Sequence, residues 1–255
     1  MNEQAFLPLA GQTVLVTRPE NQAHSLVGLL ERQGAELMRQ PMIEIREPED
    51  WSLVDAVIER ISEFSWLVFV SVNGVHFFRA RCVTLGVSLQ PRIPPKIAAI
   101  GAKTSSELQR VGWAVTLIPD EFDSGGLANA LVNRIDKEKV LLIRANRGSA
   151  EIPLALAAAG IEFEQIAVYQ STDVKTADPE VTAALSRGEI SWVTVTSSAI
   201  ARSLVNVLGD HLRQTKLVSI SPTTSQQLRK LGFEPAAEAQ EYHMAGLVDA
   251  MIQHS

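Results

Sequence analysis

An α/β fold of two similar domains, each built on a five-stranded parallel sheet, is what this chain of 255 residues predicts. Two observations carry that reading. Short β-branched runs alternate with amphipathic stretches along the whole chain, the pattern of βα units that build parallel sheets covered by helices. The chain also repeats itself. Val14-Leu15-Val16-Thr17-Arg18-Pro19-Glu20-Asn21 returns as Val140-Leu141-Leu142-Ile143-Arg144-Ala145-Asn146-Arg147, which sets Arg18 on Arg144 at an offset of 126 (144 − 18). Ser65 to Ser71 matches Ser191 to Ser197 at the same offset, and Ile100-Gly101-Ala102-Lys103-Thr104 matches Ile220-Ser221-Pro222-Thr223-Thr224 at 120 (224 − 104).

Taken in order, strands are predicted near 13–17, 35–39, 66–70, 97–100, 114–118, 140–143, 162–166, 192–196, 217–220 and 233–236. Helices fit between them. Ala23 to Gln33 carries Leu26, Leu29 and Leu30 at helical spacing and stops at Gly34, while Thr104 to Val111 stops at Gly112 and Thr224 to Leu231 at Gly232.

Simple duplication would cut the chain near residue 137, but two segments argue otherwise. Glu36 through Glu47 and Glu162 through Asp173 each read as about 12 residues of extended chain, roughly 40 Å at about 3.3 Å per residue, twice the length of an ordinary strand. Each can leave one domain and enter the next. Pro41, which cannot donate to a ladder, suits a connection better than a central strand. The expected division is therefore a discontinuous domain of 1–40 plus 173–255, an inserted domain of 47–165, and linkers at 41–46 and 166–172 that act together as a hinge.

Composition excludes several functions. The net charge of −6 and the lack of a basic stripe argue against nucleic acid, while a cleft lined with local donors can still take an anionic small molecule. No run of about 18 apolar residues is present to span a membrane, and the first residues have neither a basic nor a long apolar region of a secretion signal. With Cys82 as the single cysteine there is no internal disulfide, so a cytoplasmic protein is expected. The five histidines, His24, His76, His211, His243 and His254, lack metal-ligand spacing, so no metal is expected and capping or exposed roles are. There is no G-x-S-x-G elbow, Cys82 lies mid-helix as a core residue, and the first strand is followed by Thr17-Arg18-Pro19 without the glycines of a dinucleotide site.

What the strand ends offer instead is Thr17/Arg18, Ser71/Asn73, Lys103/Thr104, Arg144/Asn146/Arg147, Thr196/Ser197/Ser198 and Ser221/Thr223/Thr224. In open α/β sheets these ends form the ligand crevice. Ser, Thr and Asn before a helix are also preferred N-caps, and the two roles are compatible, because a helix start carries unpaired N–H groups that favour an anion. Arg18 and Arg144 fit either substrate contact or an interdomain salt bridge. Tyr169 sits in the second crossing segment, where it either packs against a domain or presents its hydroxyl as a weak acid, the unperturbed pKa being about 10.

These residues resemble a known family. Val16-Thr17-Arg18-Pro19, Phe69-Val70-Ser71-Val72-Asn73-Gly74-Val75, Ala99-Ile100-Gly101-Ala102-Lys103-Thr104, Asp123-Ser124-Gly125-Gly126-Leu127, Arg144-Ala145-Asn146-Arg147-Gly148, Val168-Tyr169 and Ile220-Ser221-Pro222-Thr223-Thr224 are similar, in this order, to the uroporphyrinogen-III synthases, from about Val14 to about Met251. The resemblance implies two flavodoxin-like domains joined by a two-strand linker, an active site in the cleft between them, and no cofactor. It implies hydroxymethylbilane, a linear tetrapyrrole with eight carboxylates, as substrate and uroporphyrinogen III, with ring D inverted, as product. Tyr169 is then the implied proton donor, and Arg18, Ser71, Asn73, Lys103, Thr104, Arg144, Ser197, Ser198, Ser221, Thr223 and Thr224 the substrate-binding set. A cytoplasmic monomer in transient contact with the enzyme that makes its substrate is expected.

The two copies differ at positions that bear on the site. Ala199 stands where the first copy has Asn73, and Ser221 where it has Gly101, so the two halves are expected to recognise different carboxylate pairs. Competing readings are a hinged two-domain small-molecule binder without catalysis and, from a third class, a flavin carrier, which the scarcity of aromatic residues at strand ends disfavours.

Overall fold

Val14, Leu15 and Val16 form a fully buried run, as do Trp66 to Phe69 and Trp192 to Val195, and such continuous apolar strands are stable only where helices cover both faces of a parallel sheet. The computed structural model describes residues 7–87 and 95–255. In chain order the elements are β1 (Thr13–Val16), α1 (Glu20–Arg32), β2 (Glu36–Arg39), β3 (Ile43–Arg46), α2 (Ser52–Glu59), β4 (Trp66–Phe69), α3 (Val72–Thr84), β5 (Lys96–Ala99), α4 (Ala102–Arg110), α5 (Ser124–Arg134) and β6 (Val140–Ala145). There follow α6 (Glu151–Ala158), β7 (Phe163–Asp173), α7 (Pro179–Ser186), β8 (Trp192–Val195), α8 (Ser198–Leu208), β9 (Lys216–Ser219), α9 (Pro222–Lys230), β10 (Ala237–Glu238) and α10 (Met244–Gln253).

The chain divides into two compact units, Met1–Glu44 with Thr172–Ser255 and Ile45–Ser171. The sheet of the first has the order β10-β9-β8-β1-β2, with every neighbouring pair parallel. The sheet of the second has the order β3-β7-β6-β4-β5, and β7, β6, β4 and β5 run parallel.

Two predicted strands need correction. The segment 114–118 is no strand; it meets β5 through the isolated bridge Ala98–Leu117 and the Thr116 N–H donating to the Ile97 carbonyl at 2.7 Å, and Pro119 has no N–H to extend the ladder. The fifth strand of that sheet is β3, drawn from the first crossing segment. The strand predicted at 233–236 forms later, as the two-residue β10, because Pro235 interrupts the expected run and pairing resumes only with the Ala236 N–H donating to Leu217. Helix starts also come earlier than the apolar spacing indicates, at Glu20, Ala102 and Pro222, because first turns carry polar residues that periodicity does not register. Their ends agree with the glycine stops: Gly34, Gly112 and Gly232 have φ of 85°, 87° and 83°, a conformation that only glycine adopts without strain.

The duplication extends into the cores. Trp66 and Trp192 are both fully buried, and their indole N–H groups donate to Glu138 at 3.2 Å and Gln12 at 2.8 Å, themselves repeat-equivalent residues. One face of the second sheet packs Phe69, Phe78 and Leu108 in a cluster that reaches Tyr169, and the other packs Trp66, Leu127, Leu142 and Leu156. In the first unit Val14, Val16, Leu26, Leu30, Trp192, Leu247 and Met251 pack together. Burial of each Leu or Phe contributes about 1.5–3 kcal/mol, which fixes the strand ends against which the polar residues are set.

Candidate functional site

Parallel strands end on the same side of their sheet, so the residues that follow them cluster. In the second sheet the chain turns outward in opposite directions from β6 and β4, and in the first sheet from β1 and β8. Such switch points leave a crevice at the carboxyl ends of the strands. Arg144 and Ser71 flank the one, Arg18 and Ser197 the other.

Tyr169 lies at the first of these points. Its hydroxyl is 3.0 Å from Ser71 Oγ, which also accepts the Gly74 N–H at 2.9 Å as the N-cap of α3. Strict alternation along β7 would bury Val168 and expose Tyr169. Instead the register to β6 slips between Arg144, opposite Ala167, and Ala145, opposite Tyr169, and this bulge keeps both Val168 and Tyr169 buried. Asn146 fixes the same stretch, its N–H donating to the Tyr169 carbonyl at 3.1 Å and its side chain accepting the Ser171 N–H at 2.8 Å. The phenol ring stacks on Phe77, centroids 5.6 Å apart and planes 16° from parallel.

Burial pushes the Tyr169 pKa above its ordinary value; the Ser71 hydrogen bond, the charge of Arg144 and an Asn73 hydrogen bond pull the other way without winning. The phenol therefore holds its proton at neutral pH, with groups around it that stabilise the phenolate once the proton leaves. Arg144 donates to Gln165 Oε1 at 3.3 Å, and its guanidinium lies so close to Gly148 that a Cβ there would come within 2.5 Å of Nη2. Arg144, Arg147, Ser124, Ser149 and Tyr169 line a cavity of about 200 Å³, and an adjoining one of about 350 Å³ shares Arg144 and Arg147. A cavity of about 550 Å³ in the first unit is larger, but its Gln12, Trp192 and Lys216 sit at the amino ends of the strands, where open α/β sheets do not bind.

Of the predicted set, Ser71, Asn73, Arg144 and Tyr169 come together in this way. Lys103 is exposed on the first turn of α4 and Thr104 is buried there. In the first unit Ser197 caps α8 by accepting the Ile200 N–H at 3.2 Å, with Ser198 beginning the helix. Ser221 caps α9 at the Thr224 N–H, and its hydroxyl is 3.2 Å from Thr224 Oγ1; Thr223 is exposed. Arg18 turns back on its own helix, donating from Nε to the Gln22 carbonyl at 3.2 Å and from Nη2 to Gln22 Oε1 at 3.1 Å, and burial lowers its pKa. Among the described residues no carboxylate pairs with Arg18 or Arg144. Cys82 is buried in α3, where desolvation pushes its thiol up to about 12 and leaves it unreactive.

Sequence reasoning missed Phe77, for which the sequence holds no signal, and the bulge, whose one trace is the adjacent apolar pair Val168-Tyr169. It also passed over the particular standing of Thr196. This residue is buried, and among the described residues its hydroxyl has no hydrogen-bond partner; the repeat-equivalent residue is Val70.

Two sheets of parallel strands, with hydroxyls and guanidinium groups at the carboxyl ends of those strands, define an α/β protein with a candidate strand-end site in each unit. The family described as uroporphyrinogen-III synthase HemD matches residues 24–249. The chain belongs to the uroporphyrinogen-III synthase family. It is 28% identical over 255 residues to the uroporphyrinogen-III synthase of Synechococcus elongatus, covering 96% of each chain. It is 27% identical to the porphyrin biosynthesis protein HemD of Ruminiclostridium josui, matching 96% of this chain and 49% of that one. In fold it is similar to uroporphyrinogen III synthase from Thermus thermophilus, with a TM-score of 0.68, 16% identity and coverage of 95% and 98%. The uroporphyrinogen-III synthetase of Helicobacter pylori gives a TM-score of 0.64 at 18% identity, with coverage of 95% and 99%.

Proposed function

We propose that the protein is a uroporphyrinogen-III synthase, a hydro-lyase that cyclises hydroxymethylbilane to uroporphyrinogen III with inversion of ring D and loss of water, in tetrapyrrole biosynthesis. The family match supports the reaction class, and the buried Tyr169 hydroxyl beside Ser71 and Arg144 is the observation that carries the chemistry. Ser71 Oγ accepts the Gly74 N–H and can donate its own proton to the Tyr169 oxygen, which leaves the phenolic O–H directed at a leaving group. Tyr169 protonates the departing hydroxyl of ring A as the C–O bond breaks, giving water and an azafulvenium cation. The substituted carbon of ring D attacks that cation to form a spiro intermediate, which fragments and recloses at the other position. The proton released on reclosure returns to the phenolate, so the enzyme is unchanged.

Selecting the spiro route over direct closure is a matter of holding the chain, and near-attack positioning of this kind supplies several kcal/mol. The eight carboxylates are held by Arg18, Ser71, Asn73, Lys103, Thr104, Arg144, Ser197, Ser198, Ser221, Thr223 and Thr224, through side chains and helix starts. The strand order of the first unit, which counted in chain order is 2-1-3-4-5, supports a flavodoxin-like reading. The segments 41–46 and 166–172 act as the hinge between domains. Incubation with enzymatically generated hydroxymethylbilane and isomer analysis of the product tests the proposal; type I product at the uncatalysed rate would favour the binding protein instead.

A further inference from the structure

Phe122 and Tyr242 occupy the same place in the two halves of the repeat, at an offset of 120 (242 − 122), and each is 63% exposed. One exposed aromatic on a protein surface is ordinary. Two at equivalent positions are a feature both copies keep, although the N-cap beside each has changed. Asp123 caps α5 where His243 caps α10, and Gly101 stands where Ser221 does.

Both loops are also held against the helix that follows them. The residue after each aromatic is an N-cap whose side chain accepts from the helix start, Asp123 from Gly126 N–H at 2.8 Å and His243 from Gly246 N–H at 3.0 Å. A Cβ on Gly126 or Gly246 would collide with the carbonyl oxygen of Glu121 or Glu241, the residue before the aromatic. Each loop is thus closed down on the first turn of its helix from both sides. Phe122 in addition rests on the start of α4: a Cβ on Gly101 would lie 3.0 Å from Phe122 Cβ, so the missing side chain is what admits it. That helix start carries Lys103 and Thr104.

We propose that Phe122 and Tyr242 are substrate-positioning residues, each laying its ring against a pyrrole of the linear tetrapyrrole while donors of the helix starts hold that pyrrole's carboxylates. The inference rests on the synthase reading above and extends it to how the apolar part of the substrate is held. An electron-rich pyrrole and an aromatic side chain gain from offset-stacked or edge contact, and an exposed ring with two rotatable angles on a held loop offers this at low entropic cost.

The test compares wild type with Phe122→Ala, Tyr242→Ala, Phe122→Tyr and Tyr242→Phe on enzymatically generated hydroxymethylbilane, reading kcat, KM, the ratio of type III to type I product, and melting temperature. Each alanine variant is expected to raise KM about twofold to tenfold and to release more type I product. Melting is expected to be unchanged because the rings are exposed, and the ring-retaining variants should recover most of the loss. Wild-type KM and isomer ratio in both alanine variants, from a wild-type protein that does make type III, would overturn the inference and leave the synthase reading standing. A wild-type protein that makes only type I overturns both.

Discussion

The hydroxyl of Tyr169 lies 3.0 Å from Ser71 Oγ, across 98 residues of chain, and the same Ser71 oxygen caps a helix. A single serine therefore ties the proposed acid to the start of α3.

Tyr169→Phe keeps the ring and its stacking on Phe77 and removes the proton. The hydroxyl of the bilane departs even without an enzyme, so the loss falls at the low end of what a positioned acid contributes: kcat is expected to drop roughly tenfold to a hundredfold with KM nearly unchanged. Because burial raises the Tyr169 pKa, the acid stays protonated through neutral pH. The wild-type kcat profile should then show an alkaline fall only above the ordinary tyrosine range near 10, and the variant should lack it. A variant with the wild-type rate would return Tyr169 to a packing role.

Ser71→Ala removes two interactions with one atom. Loss of the N-cap is expected to cost about 1 kcal/mol, seen as a lower melting temperature. Loss of the hydrogen bond to Tyr169 is expected to raise the phenol pKa further, measurable by ultraviolet difference titration, and to lower kcat by less than Tyr169→Phe does. In the double variant the catalytic losses should not add, since both act through the same proton.

Arg144 has a neutral partner, Gln165, and Thr224 shares a cap with Ser221. Arg144→Ala and Thr224→Ala are expected to raise KM, with about 1–3 kcal/mol per charge-assisted bond as the upper range, and added salt should inhibit the wild type more than Arg144→Ala. Unchanged steady-state kinetics in both folded variants would leave these residues as caps and supports alone.

Thr196→Val tests a buried hydroxyl that has no hydrogen-bond partner among the described residues. The second unit already carries Val70 at that position, so the volume is accepted, and removing an unsatisfied group of this kind is expected to leave the melting temperature unchanged or raise it. If the hydroxyl serves the ligand, KM rises while stability does not fall. A lower melting temperature would show that the hydroxyl has a structural partner.

Much of the fold was legible because burial on both faces writes continuous apolar strands, and because duplication supplies a second reading of each: Trp66 and Trp192, Gly112 and Gly232, Ser71 and Ser197 each support the other. What escaped was set by interruptions. Pro235 delayed the last strand, Pro119 prevented one, and β3 took the open place in the sheet although its segment read as a connection. At the site, residue types at strand ends were legible, since N-caps and helix starts have a fixed chemistry. Their association was not: the stacking of Phe77 on Tyr169 and the bulge beside Arg144 arise from register between segments far apart in sequence.

As proposed, the chain directs closure of a linear tetrapyrrole through the spiro route. Purified protein supplied with hydroxymethylbilane as it is made, with the products oxidised and separated by isomer, tests it directly. Type III uroporphyrinogen is expected to form faster than spontaneous closure gives type I; type I alone, at the rate seen without protein, would overturn the spiro route as this protein's work.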